Sequence, residues 1–135
     1  MSVQANSVED RLLKLQLRLA QLERQESCRE NFLDFVGAMW PDFISGRHHR
    51  IIAEKLERVA RGELKRLIIN MAPRHTKSEF ASFLFPAWMM GKNPAMKIIQ
   101  ATHTTELAVN FGRKTKNLID SDDFKTVFPE VKLAA

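Results

Sequence analysis

The chain has 135 residues, the size of one ordinary domain, and its 44% apolar and 27% charged content excludes wholesale disorder. Its 21 basic against 16 acidic residues leave a formal charge of +5, which permits contact with a polyanion without demanding one. The longest apolar stretch, residues 80–90, is interrupted by Ser82 and Pro86 and falls far short of the roughly 20 residues a membrane span needs.

The start, MSVQANSVED, lacks the basic segment and apolar core of a secretory signal, and the single Cys28 excludes an intrachain disulfide and fits a reducing compartment. The first segment reads as a helix opened by Ser7, whose hydroxyl would accept from the Asp10 amide, with Glu9 and Asp10 at the positive end of the helix dipole. Val8, Leu12, Leu15, Leu19 and Leu22 then alternate spacings of four and three, a heptad seam. Two readings stand for it: an amphipathic helix laid on its own domain, or a helix that pairs with a partner or with itself. A second helix is expected after Ser27, carrying Phe32, Leu33, Phe35, Val36 and Met39 and ended by Trp40-Pro41. A third is expected over 47–61, with Ile52, Leu56 and Val59 on one face and Gly62 as its C-terminal cap. Residues 1–27 thus form an amphipathic N-terminal helix and 28–63 a helical preface.

From residue 64 the pattern changes. Leu67-Ile68-Ile69-Asn70-Met71 is a short apolar run of the kind found in parallel strands covered on both faces. A loop over 72–76 leads into a helix from Lys77, which Pro86 must kink or end and which Gly91 and Asn93-Pro94 close. Lys97-Ile98-Ile99-Gln100-Ala101 is a second buried-strand candidate. Thr104, Leu107, Ala108, Phe111 and Leu118 mark another helix, and Ser121 caps a last short turn. The expected fold class is therefore α/β: an incomplete P-loop NTPase core over 64–135, strand–loop–helix–strand–helix with a right-handed parallel crossover, behind an all-helical N-terminal region.

The run Asn70-Met71-Ala72-Pro73-Arg74-His75-Thr76-Lys77-Ser78 lies between the first strand candidate and its helix. A phosphate-binding loop at such a corner needs backbone N–H groups aimed at phosphate oxygens, a lysine for the terminal phosphates and a following hydroxyl for magnesium. Lys77 and Ser78 supply the last two. Met71 and Thr76 stand where the Walker A consensus Gly-x-x-x-x-Gly-Lys-Ser/Thr has glycine, so a positive φ before the lysine would strain Thr76.

The string MAPRHTKSEFAS, followed by LFPAW and a Gly-Lys-Asn-Pro turn, resembles the start of the ATPase domain of tailed-bacteriophage terminase large subunits. The upstream GRHHRIIAEKLERVARGELKRLIIN and the downstream KIIQATHTTELAVNFGRKTKNLI resemble it too, so the likeness runs from about Phe32 to Val131. It implies a viral genome-packaging hydrolase, an ATP-driven translocase that pushes double-stranded DNA into a procapsid. Lys77 and Ser78 would bind ATP phosphates and Mg2+, Arg74 would act on the γ-phosphate charge, and His48 and His49 would help hold the adenine or, on the residues alone, be one exposed and one packed histidine at a helix start. Implied partners are double-stranded DNA, a small terminase subunit, a portal protein and further copies in a homo-oligomeric ring, with no membrane; the implied location is the bacterial host cytoplasm, at sites of virion assembly. The family's second motif, four apolar residues followed by Asp-Glu, is not matched; Asn117-Leu118-Ile119-Asp120 is the nearest imitation, and no residue matches the catalytic glutamate. The chain therefore reads as the front end of a motor, with little or no ATPase activity alone.

Other features carry weaker expectations. His48, His49, His75 and His103 lack metal-site spacing, and His75 is expected to shape the loop rather than move protons. Thr102, His103 and Thr104 would face nucleotide or DNA backbone from the same edge as the loop, or simply cap a helix. Arg113, Lys114 and Lys116 would track DNA phosphates or form a solvated face. Phe80, Phe83, Phe85 and Trp88 read as core rather than as a base-stacking platform. Two other functional readings stay open: a helicase-like P-loop NTPase fragment, and a non-catalytic interaction module or prophage remnant acting through the leucine seam.

Overall fold

The computed structural model of the chain describes residues 2–133, with side chains described from residue 8 onward. Among the described residues seven α-helices follow one another: α1 (Ser2–Glu30), α2 (Phe32–Met39), α3 (Arg47–Ala60), α4 (Lys77–Glu79), α5 (Phe85–Lys92), α6 (Thr105–Asp120) and α7 (Asp122–Val127). A π-helical segment, Phe80–Leu84, joins α4 to α5 without a break. No helix among the described residues is long and apolar enough to cross a membrane.

Local signals account for most of the helix ends. The Asn31 side chain accepts from the Asp34 amide at 3.0 Å, and Glu57 of α3 accepts from the Phe32 amide at 2.8 Å, so two orphan donors of α2 are satisfied. Gly62 takes φ 76°, the left-handed conformation that ends α3. Thr104 and Ser121 accept from Leu107 and Phe124, each at 3.3 Å, and cap α6 and α7. Ser27 lies inside α1 rather than before a new helix, and the break falls at Asn31. Helix α1 already runs from Ser2, so Ser7 does not open it; the Ser7 side chain lies outside the described residues.

The core gathers around aromatic rings of α2. Phe32, fully buried, meets Phe80, Phe85 and Trp88 at centroid distances of 5.3–5.6 Å. Phe35 meets Phe124 and Phe128 at 6.1 and 6.0 Å. Burial of each such ring contributes about 1.5–3 kcal/mol, and edge-to-face pairing adds to it. The C-terminal turn of α1 is fastened to this core: the buried Trp88 indole donates to the Cys28 carbonyl at 2.9 Å, and Arg29 donates to the Val127 carbonyl at 2.7 Å. N-terminal to that turn, Val8, Leu12, Leu15, Leu19 and Leu22 are 45–67% exposed, so the seam is not laid on its own domain.

The α/β expectation is overturned. The chain is 66% helix, and no strand occurs among the described residues, so the parallel P-loop core is not present. Both strand candidates are irregular surface segments. In the first, Leu67, Ile69 and Met71 pack against the core while Ile68 is 85% exposed, so one face is covered rather than two. In the second, Ile99 is 95% exposed. A β-branched run becomes a strand only when another strand completes its hydrogen bonds, and neither segment has that neighbour.

Pro86 neither ends the helix nor leaves a raw carbonyl. The i→i+5 register of Phe80–Leu84 precedes it, with the Phe85 amide bonded to the Phe80 carbonyl, and the helix runs on to Lys92. The Ser82 carbonyl, which the missing Pro86 N–H cannot reach, accepts from the Gln100 side-chain amide at 3.0 Å.

Candidate functional site

The corner between the irregular segment at 67–71 and α4 is built by two residues in the left-handed region, Arg74 at φ 65° and Thr76 at φ 59°. They are the only non-glycine residues with positive φ among those described. Thr76 directly precedes the first helical residue, Lys77, and its carbonyl accepts from Phe80 at 3.0 Å as the helix begins. A β-branched residue held there carries strain on the order of 1–3 kcal/mol, so neighbours must hold it in place.

His49, buried at 7% exposure, does so. Its Nδ1 accepts from the Gly46 amide at 2.9 Å, which puts the ring proton on Nε2. Nε2–H donates to Thr76 Oγ1 at 2.7 Å, and that hydroxyl donates to the His75 carbonyl at 2.6 Å. A directed chain thus runs from the N-terminus of α3 into the corner. Phe43 and Phe80 box the His49 ring at 4.8 and 5.2 Å. Burial, and secondarily the neighbouring His48, push the His49 pKa below its ordinary value. His75 Nδ1 donates to the Pro73 carbonyl at 2.9 Å, folding that side chain onto its own loop. His48 stands between the other two rings, 3.8 Å from His49 and 6.1 Å from His75.

His48, His49, His75, Thr76 and Lys77 are therefore one neighbourhood, although the first pair lies 27 residues upstream of Thr76 in the case of His49. Arg74 and Ser78 are exposed beside it. Lys77 is half-buried, and among the described residues it has no carboxylate partner within ion-pair distance. An unpaired ammonium beside left-handed backbone is a chemistry suited to anions. A groove of about 260 Å³ next to it is lined by His48, Ile51, Ile52, Lys55 and residues 67–71. No group of three or more His, Cys, Asp or Glu among the described residues could hold a metal ion. Magnesium on a nucleotide needs no such cage, because phosphates and water supply most of its ligands and a hydroxyl such as that of Ser78 completes them.

The remaining polar and charged sequence candidates share no hydrogen bond with the corner among the described residues. Thr102 donates to the Thr104 carbonyl at 2.7 Å, and Thr104 caps α6. His103, Thr104 and Arg113 line an open depression along the first turns of α6. Arg113, Lys114 and Lys116 are exposed on α6. Phe80 and Trp88 are buried, and Phe83 and Phe85 pack against the same core. Sequence reasoning missed Gly46 and Phe43 as supports of His49; the only local hint was Gly46 directly before the first residues of α3. Comparison of the chain with models of protein families, with curated proteins and with solved structures gave no match.

Proposed function

We propose that the corner at 73–78 binds the phosphate tail of ATP with magnesium, and that the chain is the nucleotide-binding front part of a terminase-type DNA-packaging motor. The observation that carries this reading is Thr76 at φ 59° immediately before Lys77. Strain of that kind persists where function requires the geometry, and the lysine it presents lacks a carboxylate partner among the described residues. The proposal needs no parallel sheet: backbone amides around Arg74 to Ser78, the Lys77 ammonium and the Ser78 hydroxyl are the binding groups. Arg74, which is exposed, would reach over the terminal phosphate, and the mostly aliphatic groove beside His48 would seat the base. Bound magnesium would neutralise phosphate charge. Double-stranded DNA, a small terminase subunit, a portal ring, neighbouring copies and a bacterial cytoplasmic setting belong to this reading as the family resemblance implies them.

Magnesium-dependent binding of a fluorescent ATP analogue tests it. The full chain is expected to bind, and Lys77→Ala to weaken binding by at least roughly tenfold, the loss of one charge-assisted contact. Steady-state turnover is expected to be absent, since no residue matches the family's catalytic glutamate. Equal binding by Lys77→Ala would remove the reading.

A further inference from the structure

We propose that the exposed N-terminal stretch of α1 pairs with the same stretch of a second copy of this chain as a parallel two-stranded coiled coil. Residues 8–24 are exposed on every side, although seven large apolar side chains, Val8 and six leucines, lie among them. A helix of that length gains little from its own hydrogen bonds in water, so an apolar seam without a cover is unfinished packing. Five of the seven form the seam, with Leu12 and Leu19 at a positions and Val8, Leu15 and Leu22 at d positions.

The flanking charges select the occupant and its direction. The e positions are Glu9, Gln16 and Glu23, and the g positions are Arg11, Arg18 and Gln25. A parallel pair sets each g residue against the e residue five further along the partner, so Arg18 meets the partner's Glu23 twice by symmetry. An antiparallel pair would set g against g and e against e, bringing arginines together and glutamates together. Leu22, the last seam residue before the domain, keeps 45% exposure. Helix α1 joins its core through Cys28, six residues beyond Leu22 and roughly 120° around the helix from it. The inference stands apart from the nucleotide reading and survives or fails without it.

Sedimentation or light scattering of the full chain over a dilution series tests this. The expected species is a dimer that Leu15→Glu converts to monomer, whereas Leu17→Glu, at an exposed leucine off the seam, leaves it intact. Arg18→Glu is expected to weaken the dimer roughly tenfold by placing two carboxylates opposite each other, and Arg18→Glu combined with Glu23→Arg to restore it. A monomer at every concentration would overturn the proposal and assign the seam to a different partner. Equal damage from Leu17→Glu, or no recovery in the double charge reversal, would overturn it too.

Discussion

Thr76 carries two opposed contributions. Its φ of 59° costs energy that glycine would not incur, while its hydroxyl links His49 to the loop. Thr76→Gly relieves the first and loses the second; Thr76→Val keeps the strain and leaves the His49 Nε2–H without an acceptor. Urea unfolding is expected to place Thr76→Gly within about 1 kcal/mol of the native chain and Thr76→Val about 2 kcal/mol below it. Equal stabilities for the two variants would mean that the left-handed conformation costs nothing. His49 itself ties stability to pH. Its folded pKa is lowered, chiefly by burial, so below pH 6.5 the unfolded chain takes up a proton that the folded ring refuses. Its contribution is therefore fully present above pH 6.5 and is lost as pH falls toward the lowered value. Protonation at Nδ1 would also expel the Gly46 amide from its acceptor. Unfolding midpoints measured at about pH 7.5 and about pH 5.5 are expected to fall on acidification, and His49→Gln to flatten that decline, given the ordinary imidazole range. An unchanged slope in the variant would assign the acid sensitivity elsewhere.

At the scale of elements, α5 and the chain after α7 meet with no room to spare. A Cβ on Gly91 would lie 2.5 Å from the Phe128 ring, which is itself buried against Phe35 and Phe124. Gly91→Ala would raise helix propensity at an open position, yet here overpacking is expected to cost about 1–3 kcal/mol. A thermal melt that rises in this variant would show that α5 and Phe128 are not in contact. The helices were legible from the sequence because their causes are local: apolar residues at helical spacing, Gly62 past the end of α3, Thr104 and Ser121 before α6 and α7. The strands were not legible, because Leu67 to Met71 and Lys97 to Ala101 have strand-like composition whether or not a neighbour is there to pair with them. Pro86, expected to kink or end its helix, does not end it: the helix runs on to Lys92, and the Gln100 amide on the Ser82 carbonyl spans 18 residues and leaves no local trace.

Across the whole molecule, one core reaches from Cys28 to Val131 and holds the corner at 73–78 against α3. The candidate site was half legible. Lys77 and Ser78 stand out by their place after an apolar run and a loop, whereas the motif says only that a positive φ before the lysine would strain Thr76, and the structure gives it that φ. The link to His49 was not legible, since only folding brings α3 to the loop. No hydrogen bond among the described residues joins the basic stretch of α6 or the turn at Thr102 to Thr104 to this neighbourhood. The core therefore gives the corner its frame, and the chemistry proposed for it is anion binding by amides and one ammonium.

Backbone amide NMR of the full chain, titrated with magnesium ATP, is the most direct measurement of that claim. The largest shifts are expected at the amides of His75, Thr76, Lys77 and Ser78, with smaller ones around His48 and His49. Saturation with those amides unmoved, or the largest shifts on α6 instead, would contradict it.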